Sequence, residues 1–124
     1  MTRKILLIDD EPDMLSTCAR LVKRLGHDCL TAHDGPQAIK MIDEQHPDLV
    51  VTDLHLPTGD GFDVSRYVRD HQPRTPVILM TAYHTQETIG QAIANGATAY
   101  LSKPFSNADL SAEIRRALET PQSS

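Results

Sequence analysis

The chain has 124 residues, 12 Lys plus Arg against 17 Asp plus Glu, a formal net charge of -5 and few aromatic side chains. That length suits one domain with a real core, and an acidic balance without a dense basic run speaks against direct binding of nucleic acid. The Arg3 and Lys4 start leads into only a short apolar run, and no stretch approaches the roughly 18 residues of a membrane span, so a cytoplasmic protein with no membrane partner is expected.

In chain order, the β-rich run KILLI (4–8) ends in Asp9 and Asp10. A helical segment follows with Met14, Cys18, Leu21, Val22 and Leu25 on one face, closed by Gly26. DCLTA (28–32) runs into HDG, and Ala38, Ile39 and Ile42 mark a second helix that ends before Pro47. DLVVT (48–52) meets Asp53, and Val64, Tyr67 and Val68 mark the third helix. PVILM (76–80) is followed by Thr81 and Ala82, then by TQETIGQAIAN, whose Gly90 and scarcity of large apolar residues give it low intrinsic stability. TAYLS (98–102) leads to Lys103 and Pro104. Ser106 with Asp109 then reads as a capping box, Phe105 with Leu110 as a hydrophobic staple, before an apolar face of Leu110, Ile114, Ala117 and Leu118. Cys18 and Cys29 have no zinc-site or disulfide-framework spacing and are expected to be reduced, packed thiols.

Five short apolar runs separated by helices predict a doubly wound α/β domain with a five-stranded parallel sheet. The domain is expected over 1–120, with 121–124 a tail or the start of a linker. Ligands of such sheets bind beyond the carboxyl ends of the strands, where strand order reverses. If the order is 2-1-3-4-5, Asp9, Asp10, Asp53, Thr81 and Lys103 converge on one crevice. Three crowded carboxylates require a cation or raised pKa values, and hard oxygen ligands in this number suit Mg²⁺ beside a phosphoryl group. Asp53 is then placed to attack phosphorus, with Lys103 and Thr81 on the phosphoryl oxygens. Each residue alone has a plainer reading: an acidic helix start, a loop cap, a strand-end hydroxyl, a solvated lysine. Their joint placement at four strand ends favours the chemical one.

Taken together and in this order, these motifs resemble the receiver domain of two-component response regulators over residues 3 to about 119. Asp9 and Asp10 in LLIDDEPDM match its acidic pair, Asp53 in DLHLPTGDG its phosphorylated aspartate, and Thr81 in MTA its switch hydroxyl, with Ala82 beside it at the phosphoryl group. Tyr100 matches its switch aromatic and Lys103 in KPF its lysine. The resemblance implies a flavodoxin-like fold, Mg²⁺ held by Asp9, Asp10, Asp53 and the backbone carbonyl of His55, and a cis bond before Pro104. It further implies phosphoryl transfer to Asp53 from a sensor histidine kinase or phosphotransfer protein. The domain would then assist its own phosphorylation and dephosphorylation without being an enzyme in the usual sense. The helix 4–strand 5–helix 5 surface would switch, acting on an output domain, a partner protein or a second copy to control an output such as transcription.

Two other functions compete. An aspartate-nucleophile phosphatase of the haloacid-dehalogenase kind needs a second acid two residues after the nucleophile, where this chain has His55, and a substrate cap that is missing. A receiver-like module that binds partners without phosphate would have no need to retain all five chemical positions.

Overall fold

The computed structural model describes residues 2–83 and 85–119, so the expected tail at 121–124 lies outside the described residues. Strands and helices alternate as β1 (Lys4–Ile8), α1 (Pro12–Arg24), β2 (Asp28–Ala32), α2 (Gly35–Gln45), β3 (Leu49–Asp53), α3 (Gly61–His71), β4 (Val77–Thr81), α4 (Gln86–Ala94), β5 (Ala99–Ser102) and α5 (Asn107–Glu119). All pairings are parallel and the sheet order is β2-β1-β3-β4-β5, as the alternating pattern predicts.

Period-two alternation sends successive side chains to opposite layers, which is why β3 and β4 are buried along their whole length and β1 from Ile5 onward. Ile5 and Leu7 of β1 join Val51, Ile78 and Met80 under α1 and α5, whereas Leu6 and Ile8 join Val50 and Val77 under α2 and α3. Burial on both faces fixes the register, since a one-residue slip would exchange the two cores.

The third, fourth and fifth strands start one residue later than the apolar runs. Asp53 and Thr81 are therefore the last residues of β3 and β4, paired with Met80 and Ser102. The ladder continues past them: the Leu54 N–H donates to Met80 O at 2.8 Å and the Lys103 N–H to Thr81 O at 2.7 Å. Backbone pairing thus continues past Asp53 and Thr81 and holds them in place.

Helix ends follow the sequence signals, with further N-caps at Asp34, Asp60 and Thr85. Gly26 and Gly96 take the positive φ of a C-terminal glycine, at 91° and 89°, and Pro47 follows His46, itself left-handed at φ 47°. Ser106 and Asp109 exchange backbone and side-chain bonds as a capping box. A second box joins Asp60 and Asp63 at the start of α3, and Asp34 caps α2 through the Gln37 N–H. On α2 the predicted face shifts: Ala38 and Ile42 are buried, but Ile39 lies outside the core, and Gly35 and Met41 complete the packed face. Leu15 joins the α1 face.

α4 is held at one end. Only Ala92 of this helix is buried, and Ile93 is 70% exposed. Its C-terminal carbonyls are tied to α3, where Ser65 Oγ donates to Asn95 O at 2.8 Å and Arg69 to Ala94 O at 3.1 Å.

Candidate functional site

The sheet order reverses between β1 and β3, so α1 and α3 leave in opposite directions and open a crevice at the carboxyl ends. Asp9 follows β1 and is fully buried, Asp10 is exposed at the mouth, and Asp53 ends β3 at 7% exposure. One carboxylate oxygen from each lies within 4.8 Å of the other two. Lys103 enters from the end of β5, with Nζ 3.1 Å from Asp9 Oδ2 and 3.3 Å from Asp53 Oδ2. The second Asp9 oxygen accepts the Glu11 N–H at 3.0 Å, which fixes the carboxylate while starting α1.

Burial raises the pKa of the Asp53 carboxyl; Lys103 opposes the rise, Asp9 adds to it, and a backbone hydrogen bond from His55 lowers it. Desolvation, more than crowding by another acid, is therefore what disfavours the Asp53 charge. Burial draws the Lys103 ammonium down, but Asp53 and Asp9 outweigh it and hold its pKa above the usual lysine value. With three carboxylates facing one ammonium, the donor set is oxygen-rich, anionic and open on the Asp10 side. That composition fits a hard divalent cation such as Mg²⁺.

Around this cluster the remaining predicted residues take distinct places. Thr81 is buried, and its Oγ accepts the Tyr83 N–H at 2.9 Å while facing Tyr83 O at 3.5 Å. Ala82 is exposed beside it. His55 lies at the surface, its ring edge-to-face with that of Tyr83. Tyr100 is half-buried and stands apart from the carboxylates, separated from Thr81 by a cavity of about 10 Å³ that Phe62, Ile89 and Ala92 also line. The Lys103–Pro104 peptide is cis.

One neighbour escaped the sequence reading. Gly61 packs so closely that a Cβ would lie 2.7 Å from Asp53 O and 2.9 Å from Leu54 Cα, so the backbone behind Asp53 requires glycine there. The D-G pair at 60–61 reads as a turn from sequence, whereas its glycine serves close backbone approach.

Residues 5–115 match the family model described as "Response regulator receiver domain". The chain belongs to the response regulator receiver domain family. As a receiver domain it is 40% identical over 119 residues to Regulatory protein AtoC of Escherichia coli, covering 94% of this chain and 25% of that protein. It is 33% identical over 118 residues to the alkaline phosphatase synthesis transcriptional regulatory protein PhoP of Bacillus subtilis, covering 95% of this chain and 49% of that protein. The chain thus spans a quarter to a half of these curated relatives. Among solved structures, the receiver domain of sensor histidine kinase PA1611 from Pseudomonas aeruginosa superposes with a TM-score of 0.87 at 29% identity, covering 97% of this chain and all of that one. Its magnesium ion is described as coordinated in the active-site cleft. Membership of the receiver family displaces the phosphatase reading, and the α/β architecture with its 2-1-3-4-5 sheet stands as expected. Among the described residues no helix is long and apolar enough to cross a membrane.

Proposed function

We propose that this receiver domain takes a phosphoryl group onto Asp53 from the phosphohistidine of a sensor kinase or phosphotransfer protein. The observation that carries the reading is the convergence of Asp9, Asp10, Asp53 and Lys103 at the carboxyl edge of the sheet. In the transfer, an Asp53 oxygen forms the new P–O bond as the P–N bond breaks, and the imidazole leaves with its electron pair and gains a proton. Asp9, Asp10, Asp53 and the His55 carbonyl would hold Mg²⁺, and the PA1611 receiver, with magnesium in its cleft, supports that assignment. When bound, the ion supplies positive charge to the phosphoryl oxygens. Lys103 supplies the second positive charge once Asp53 no longer carries its own. These groups let the domain assist its own phosphorylation and later hydrolysis.

Thr81 is the link to the output. Its contact with Tyr83 O is long enough to be exchanged for a bond to a phosphoryl oxygen, with Ala82 N–H beside it. Moving Thr81 toward Asp53 enlarges the space on the Tyr100 side, and Tyr100 turns inward. The surface that changes is α4–β5–α5, where a groove of about 460 Å³ is lined by Ile93, Ala99, Tyr100 and Ala117 and edged by Glu113 and Arg116. An output domain, a partner protein or a second copy would bind there. The length of the AtoC and PhoP relatives beyond the matched region and the transcriptional role in the PhoP name favour control of transcription in the cytoplasm.

Incubation with acetyl phosphate and Mg²⁺ tests this reading. One phosphoryl group per chain, stable in acid and released by hydroxylamine, is expected, and Asp53→Asn should not take it up. Steady turnover of phosphomonoesters would point to a phosphatase instead.

A further inference from the structure

The loop that follows Asp53 is a small closed hairpin. His55 and Asp60 form an antiparallel bridge, the Gly61 N–H donates to Leu54 O at 2.8 Å, and the Asp60–Asp63 capping box anchors its return into α3. Its base is fixed by the Gly61 contact with Asp53 O. Its tip, Thr58 and Gly59, is supported from another element altogether. The Gly35 N–H, at the start of α2, donates to Thr58 O at 2.9 Å. A Cβ on Gly35 would stand 3.1 Å from Thr58 O and 3.5 Å from Gly59 Cα, and Gly59 itself sits at φ 75°. Two glycine backbones thus meet where any side chain on Gly35 would push the tip outward.

We infer that Gly35 is a positioning residue for the metal site: its contact with Thr58 and Gly59 sets the height of the hairpin and so of the His55 carbonyl beside Asp53. The inference rests on the proposed role of that carbonyl. Its physical basis is the strictness of Mg²⁺, which demands near-octahedral ligands at about 2.0–2.1 Å, whereas Ca²⁺ accepts longer and irregular coordination. A displacement of a few tenths of an ångström, the relief a 3.1 Å contact requires, is tolerable to the fold and to Ca²⁺ but not to Mg²⁺. The backbone of Gly35 is helical rather than left-handed, so alanine meets no conformational strain there and is the better helix former.

Calorimetric titration of the whole chain with MgCl₂ and with CaCl₂ tests the inference. Gly35→Ala should bind Mg²⁺ on the order of tenfold more weakly while Ca²⁺ affinity stays within about twofold and the melt in chelator stays close to wild type. Gly26→Ala, strained at φ 91° but remote from the site, should lower the melt without changing the ratio of the two affinities. A second measurement needs no variant: because coupling is reciprocal, saturating Mg²⁺ should slow hydrogen exchange of the Gly35 amide in wild type. Equal losses for both ions, unchanged Mg²⁺ binding in Gly35→Ala, or an amide indifferent to Mg²⁺ would overturn the positioning role alone. A wild type that binds no Mg²⁺ would overturn the metal reading as well.

Discussion

The rings of His55 and Tyr83 meet edge to face, with centroids 5.1 Å apart and planes at 85°. They stand two residues beyond Asp53 and Thr81, just past the ends of β3 and β4. Water attacking a phosphoryl group on Asp53 from their side would have to pass them. His55→Gly with Tyr83→Ala should therefore shorten the lifetime of the acyl phosphate several-fold, followed as loss of phosphoprotein after the donor is removed. An unchanged decay would show that the pair does not shield the phosphoryl group.

Removing the Asp53 charge should stabilise the metal-free domain. Its folded pKa lies above the ordinary 3.8, so the folded state holds the proton more tightly than the unfolded chain. No penalty exists below 3.8; it grows as pH climbs from there through the raised value and is complete above it. Lys103 keeps Asp9 as a partner at 3.1 Å in Asp53→Asn, so no ammonium is stranded. In chelator at pH 7 the variant should melt higher than wild type, by roughly 4 °C for each kcal/mol gained. Mg²⁺ at about 100 times its dissociation constant should stabilise wild type by about 2.7 kcal/mol and the variant by less. A variant that melts lower in chelator would mean that the Asp53 charge is not a burden on the fold.

α4 should be the softest helix of the domain. It buries one residue, and Gly90 faces open space with nothing within 4 Å of where a Cβ would lie. Gly90→Ala should stabilise α4 by about 0.5–1 kcal/mol and slow its amide exchange relative to the sheet. A switch depends on a small free-energy gap, so the variant should also need more phosphorylation to change the Tyr100 environment. Amide exchange in α4 as slow as in β1 of wild type would contradict this account of the helix.

Much of this was legible in the sequence because its signals are local. Apolar runs at regular spacing fixed five strands, and the residues just after them named the carboxylates and Lys103. The errors are of another kind. The strands that end on Asp53 and Thr81 extend one residue further than hydrophobicity shows, because ladder bonds from Leu54 and Lys103 continue past the apolar stretch. Ile39 fits the helical period yet lies outside the core, since α2 turns Gly35 and Met41 inward instead. The HDG that ends the second run follows an edge strand, away from the carboxylate cluster, and its glycine acquires a role only through contact with Thr58, more than twenty residues away. Glycine contacts between separate loops leave no periodic trace, so Gly35 and Gly61 had to be seen in place.

Mapping the phosphoryl group is the most direct test of the account. After phosphorylation with acetyl phosphate and Mg²⁺, borohydride reduces an aspartyl phosphate to homoserine, and peptide mass analysis then locates the altered residue. The account predicts homoserine at position 53 and unaltered aspartate at positions 9 and 10, with no conversion when the metal is chelated. Homoserine at Asp9 or Asp10, or none in wild type under conditions that label it, would contradict the assignment of Asp53 as the phosphoacceptor.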